Sequence, residues 1–192
     1  MPSKDYAALP VDHVRRADRQ VTDEAWIIDL IKRAPMGYLA TENNGQPFIN
    51  SNLFVYDETK HVIYMHTARV GRTRANIESD KADAPAKVCF TVTEMGRLLP
   101  ADEALEFSVE YSGVMAFGTA AIVEDADEQR YGLQLLMDKY FPHLRPGRDY
   151  RPIIDEELVR TSVYRIEIGT WTGKRKKVED EFPGAFLYPH KG

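Results

Sequence analysis

The chemistry of this sequence concentrates in residues 61–77, HVIYMHTARVGRTRANI. The run carries Arg69, Arg72 and Arg74 and no acidic residue, in a chain where 30 Asp and Glu outnumber 25 Lys and Arg. Its pattern reads as strand, short glycine-containing turn and helix start. A helix start leaves backbone N–H groups unpaired and carries a partial positive charge. Thr67 and Thr73 add hydroxyl donors, and arginine offers a fork of charged donors that matches phosphate. Together these groups suit a phosphate dianion. An arginine-rich, solvated helix face has the same composition, and composition alone does not separate the two.

Other constellations carry less. The segment Gly169-Thr170-Trp171-Thr172-Gly173-Lys174 imitates a P-loop, but its spacing is one residue short and Arg175 stands where Ser or Thr is needed. Histidines 13, 61, 66, 143 and 190 are scattered without an HxxxH pair, which argues against zinc. A single cysteine, Cys89, excludes an internal disulfide and reads as a buried, inert thiol. Lys174–Lys177 is followed at once by acids and reads as a solvated charge run.

The net charge of −5 over 192 residues excludes a basic nucleic-acid binder as the default. With 43% hydrophobic and 29% charged residues the chain has the composition of a folded domain. Its apolar runs fall far short of a membrane span, and its N-terminus has no apolar signal core. The expectation is a cytoplasmic protein without a membrane or nucleic-acid partner.

The elements that must position the 61–77 segment follow from periodicity. Thr22 to Ala34 reads as a helix, capped by Thr22, with Ile27, Leu30, Ile31 and Ala34 on one face and Pro35 as its stop. Met36–Thr41, Phe48–Tyr56 and His61–His66 read as three strands in an antiparallel meander, with Asn43-Asn44-Gly45 as a hairpin turn. Arg72–Ser79 reads as a short helix, Asp80–Pro85 as a loop and Ala86–Thr93 as a fourth strand. Phe107–Glu124 is long for one strand, and Gly113 and Gly118 inside it suggest a bend. A second helix spans Asp125–Phe141, with Leu133, Leu136, Met137 and Tyr140 on one face, and a last strand spans Ser162–Trp171. The sum is an α+β fold: a six-stranded antiparallel Greek-key split β-barrel with flanking helices. A polar arm over 1–21 precedes the domain at 22–173, and a charged tail follows over 174–192.

The run Tyr64–Asn76 resembles the phosphate-binding segment of the pyridoxamine 5′-phosphate oxidase-like, FMN-binding split-barrel superfamily, within it the nitroimidazole-resistance (Nim-type) branch. The runs Thr93–Pro100, Val109–Ala120, Arg160–Tyr164 and Trp171–Lys174 resemble it too, in the expected order. The resemblance implies a homodimer with FMN in grooves between its subunits. Arg72 and Arg74 would hold the phosphate, with His66, Thr67 and Thr73 alongside. Ile49, Asn50, Ser51 and Asn52 would run along the isoalloxazine ring. Ser112 and Trp171 would approach from other strands, Trp171 offering a face for stacking. His66 matches a histidine at the flavin site, where a neutral imidazole could donate a proton; it equally suits a structural role.

The activity implied is reduction of a small electrophilic acceptor, such as a nitroaromatic, by electrons from a reduced nicotinamide, NADH or NADPH. The flavin would supply the redox chemistry. FAD, a deazaflavin or haem are alternative cofactors, and a non-catalytic flavin- or haem-binding module is an alternative function. Pyridoxamine-phosphate oxidase activity is disfavoured, because Lys174–Glu181 lacks the Arg-x-His-Arg-type motif of the true oxidases.

Overall fold

The computed structural model of the chain describes residues 5–79 and 85–188. The first four residues of the arm, most of the expected 80–85 loop, and the end of the tail with His190 lie outside the described residues. The elements in chain order are β1 (Gln20–Val21), α1 (Glu24–Arg33), β2 (Gly37–Asn43), β3 (Gln46–Asn52), β4 (Phe54–Asp57), β5 (Val62–Ala68), α2 (Arg72–Ser79), β6 (Ala86–Leu99), β7 (Ser108–Ile122), α3 (Ala126–Tyr140), α4 (Asp155–Leu158), β8 (Thr161–Lys176) and β9 (Phe186–Leu187). The fold is α+β and antiparallel, as the periodicity implies, but the sheet has nine strands rather than six. Its hydrogen-bonded order is β3-β2-β6-β7-β8-β5-β4, with β1 on β8 and β9 on β6. Two of the added strands, β1 and β9, are two residues long, too short for alternation to register.

By contact the chain divides into two compact units. One draws on the chain up to Ala34, Thr91–Met115 and Trp171 onward; the other on Pro35–Phe90 and Ala116–Thr170.

In the second unit the Asn44-Gly45 turn joins β2 to β3. Both residues have positive φ, at 52° and 79°, as a two-residue hairpin loop requires. Register runs from Asn43 opposite Gln46 to Gly37 opposite Asn52. The expected strand Phe48–Tyr56 does not continue: it breaks at Leu53 into β3 and β4. The meander is thereby corrected to two separate hairpins, β2–β3 and β4–β5, which occupy opposite ends of the strand order. Non-local bonds hold the break. The Tyr140 hydroxyl accepts from the Phe54 N–H (3.1 Å) and also meets the carbonyls of Phe54 (3.0 Å) and Pro35 (3.1 Å).

α3 lays Leu136 against a buried cluster of Val55, Val62, Tyr64, Val123 and Val163, with Leu133 and Tyr140 partly buried beside it. Asp125 caps this helix through the Glu128 N–H (2.8 Å). Glu128 in turn receives the Tyr64 hydroxyl (2.8 Å) and the Arg165 guanidinium (3.0 and 3.1 Å). That arrangement satisfies a phenol at the centre of the core.

In the first unit, α1 buries Ile27, Leu30 and Ile31, each contributing roughly 1.5–3 kcal/mol. Its cap is Asp23, which accepts from Ala25 N–H (3.0 Å) and Trp26 N–H (3.4 Å), and not the neighbouring Thr22. Arg97 on β6 grips Glu110 on β7 with two parallel bonds of 2.9 and 2.8 Å. The same guanidinium donates to the carbonyls of Glu179 (3.0 Å) and Asp180 (2.8 Å), and Glu110 accepts the Val178 N–H (3.0 Å). One ion pair thus ties the chain beyond β8 to two strands.

Hydrogen bonds from Arg97, and then the Val178 N–H, hold the Glu110 carboxyl down to about 2, against 4.5 for an ordinary glutamate. A carboxyl lowered in the folded state stabilises above its unfolded pKa, and that stabilisation is lost as pH falls toward the folded value. Glu110→Gln is therefore expected to flatten the fall of the thermal midpoint between pH 5 and pH 3. Melting curves of the two proteins across that window check it, and parallel slopes would refute the assignment.

Candidate functional site

The second unit contains a cavity of about 670 Å³, within the range of small-molecule sites. One wall is β3, with Phe48, Asn50, Ser51 and Asn52. The end of β5 supplies His66, Thr67 and Ala68, and the turn after it supplies Val70 and Gly71. The start of α2 supplies Arg72 and Thr73, and the start of β8 adds Arg160 and Thr161. No Asp or Glu is among these lining residues.

The chain reaches this geometry for local reasons. Gly71 has φ 144°, a conformation other residues rarely take, and it lets the chain leave β5 and enter α2 at once. The Ala75 N–H donates to the Gly71 carbonyl (3.0 Å), which sets Gly71 at the head of the helix. The first-turn N–H groups that follow, Arg72 to Arg74, have no intrahelical acceptor. α2 is anchored from behind by Asn76, whose Nδ2 donates to Thr41 Oγ1 (2.9 Å), both side chains being buried. Between β3 and β5, Asn52 Nδ2 donates to the His66 carbonyl (2.5 Å) while its Oδ1 accepts the Leu53 N–H (2.9 Å). One amide therefore spans the gap between the strand ends and sets the width of the cavity there.

The titratable groups differ in commitment. Arg72 is exposed and makes no hydrogen bond or ion pair among the described residues. Arg74 does not line the cavity: its Nη1 donates to Ser162 Oγ (2.8 Å) and its Nη2 pairs with Glu78 (2.5 Å). The Thr67 hydroxyl is bonded to Tyr164 (2.7 Å). His66 is half-buried, and its Nδ1 is inaccessible and without a hydrogen-bond partner. Burial pushes its pKa below the usual 6.5, so the ring is neutral near pH 7.

Of the residues singled out in the sequence, Asn50, Ser51, Asn52, His66, Thr67, Arg72 and Thr73 meet on this cavity. Ile49 does not line it; alternation on β3 turns its side chain out, 66% exposed. Ser112 and Trp171 belong to the first unit and are not among the lining residues; Ser112 lines a separate cavity of about 160 Å³ with Tyr111 and Arg175. The P-loop imitation lies inside β8. Arg160 and Thr161 reach the cavity through pairing of β5 with β8, where Ala68 lies opposite Thr161. Sequence spacing holds no signal for that partnership, which joins positions over 90 residues apart.

The fold and site define an α+β protein whose antiparallel sheet frames a polar, cation-bearing cavity at a helix start. The family model for pyridoxamine 5′-phosphate oxidase matches residues 23–175, and the chain belongs to that family. No curated protein matches the chain. Among solved structures it is similar to the flavocytochrome Anf3 from Azotobacter vinelandii, with 22% identity over 88% of this chain and 77% of that one, TM-score 0.71. It is also similar to an FAD and haem binding protein from Mycobacterium smegmatis, with 24% identity, 83% and 74% coverage, TM-score 0.71. A third is a candidate 5-nitroimidazole antibiotic resistance protein from Bacteroides thetaiotaomicron, with 19% identity, 81% and 86% coverage, TM-score 0.64. No helix among the described residues is long and apolar enough to cross a membrane.

Proposed function

We propose that this chain binds FMN in the 670 Å³ cavity and passes electrons from NADH or NADPH to a small electrophilic acceptor of the nitroaromatic kind. The observation that carries the proposal is the union, on one acid-free surface, of an uncommitted guanidinium at a helix start and a polar strand edge. The solved structures named above include a flavocytochrome, a protein described as binding FAD and haem, and one described as a nitroimidazole resistance candidate. These support the class of ligand and acceptor.

A bound flavin would supply two-electron chemistry that no side chain here possesses. The protein's own groups have four tasks. Arg72 and the first-turn N–H groups of α2 bind the phosphate. Asn50 and Ser51 offer amide and backbone donors and acceptors to the polar edge of the ring. Asn52 holds the strand ends at a fixed spacing. His66, neutral at pH 7, places its imidazole on the cavity wall as the group that can take up a proton. Exposed Ile49 and Val70, 66% and 83% open, flank this surface and suit coverage by a second copy of the chain, giving a homodimer.

The absorption spectrum of the purified protein tests the cofactor. Flavin bands in the near-UV and blue are expected; a sharp Soret band would indicate haem, and colourless protein that takes up no added FMN would overturn the proposal. His66→Ala is expected to keep the flavin and slow acceptor-dependent NAD(P)H consumption about 100-fold, the usual scale for losing a positioned acid–base group. Unchanged turnover would leave His66 a structural part of the turn.

A further inference from the structure

We propose that Arg160 is the second cation of the anion seat, so that the cavity takes its flavin through a phosphate ester held jointly by Arg72 and Arg160. The inference rests on the flavin proposal above and goes beyond it in naming a binding residue and the group it recognises. A phosphomonoester carries close to two negative charges at neutral pH, and a single guanidinium leaves one of them uncompensated. The family resemblance nominates Arg74 for the second place, but Arg74 is spent on Ser162 and Glu78. Arg69 is no substitute: it does not line the cavity, and its Nη1 reaches the Val159 carbonyl (3.4 Å).

Arg160 is left. Its backbone is fixed beside the phosphate turn, because its carbonyl accepts the Arg69 N–H (3.3 Å) and its N–H donates to the Glu157 carbonyl (3.2 Å). Its side chain lines the cavity, is exposed, and has no hydrogen bond or ion pair among the described residues. The nearest acid along the chain, Glu157, is engaged elsewhere: it accepts from Arg151 (2.8 Å) and from the Ile154 N–H (3.1 Å). The lining residues therefore carry two free guanidinium groups and no carboxylate to neutralise them. Such a surface is left electropositive at some cost in repulsion, which an anionic ligand relieves.

Titration of the wild-type protein, Arg160→Gln and Arg72→Gln with riboflavin, FMN and FAD separates the contributions. Wild type is expected to bind FMN more tightly than riboflavin. Arg160→Gln is expected to weaken FMN at least about tenfold, the scale of one charged hydrogen bond, and to change riboflavin less than about twofold. FAD weakened in step with FMN supports a diphosphate in the same seat, and FMN weakened alone supports a monoester. FMN affinity unchanged in Arg160→Gln, with Arg72→Gln impaired, overturns the role of Arg160 and leaves the flavin proposal standing. Equal loss of riboflavin and FMN also overturns it, since the side chain would then act through shape. Wild type that binds neither flavin overturns the flavin proposal itself, and the present inference with it.

Discussion

Gly118→Ala is expected to destabilise the second unit severely. A methyl group built on Gly118 would overlap the carbonyl oxygen of Glu167 and lie 2.9 Å from its carbonyl carbon. Both atoms are backbone of β8, next to β7 in the sheet, so no side chain can swing aside to make room. Ordinary overpacking costs about 1–3 kcal/mol because rotamers adjust; overlap between two main chains must separate the strands and exceeds that range. Against a total stability of about 5–15 kcal/mol, the variant is expected to be insoluble, or to melt at least about 10 °C lower. Gly113→Ala in the same strand is the control. Its nearest neighbour would be the Val92 carbonyl oxygen at 3.6 Å, an ordinary contact, and its midpoint is expected within about 3 °C of the parent. Equal behaviour of the two variants would show that the β7–β8 approach is misplaced.

These two glycines show what kind of information the sequence holds. In the sequence both suggest a bend in a long strand. The strand runs unbroken from Ser108 to Ile122, and Gly118 is required by the backbone that lies against it. Local features were legible: the Asn44-Gly45 turn, the apolar faces of α1 and α3, and the strand–turn–helix layout around Gly71 each depend on residues within a few positions of one another. Features set by distant partners were not. Nothing in Phe48–Tyr56 marks a break at Leu53, because the bonds that hold it come from Tyr140 and from the His66 carbonyl. Thr22 and Asp23 are equivalent as capping residues on paper, and only the backbone, extended at Asp23 with φ −71° and ψ 107°, places Asp23 at the cap.

The same distinction divides Arg72 and Arg74, which the family resemblance pairs as phosphate ligands. Arg72→Ala removes an exposed, uncommitted charge from the cavity. FMN affinity is expected to fall about 10- to 100-fold, which corresponds to roughly 1.4–2.8 kcal/mol, while the midpoint of the flavin-free protein stays within about 1 °C. Arg74→Ala has the opposite signature. It leaves Ser162 Oγ, on a residue 1% exposed, without its donor, and it breaks the link from α2 to β8. A buried hydroxyl stripped of its partner costs about 1–3 kcal/mol, so the flavin-free midpoint is expected to drop by several degrees. Its loss of FMN affinity is expected to be the smaller of the two, because its effect reaches the cavity only through the seating of the helix. Parallel melting and titration of both variants decide the matter. If Arg74→Ala lowers FMN affinity more than Arg72→Ala and leaves the midpoint unchanged, Arg74 must turn inward when ligand binds. The anion seat would then be rebuilt by its occupant, and the uncommitted state of Arg72 would lose its meaning.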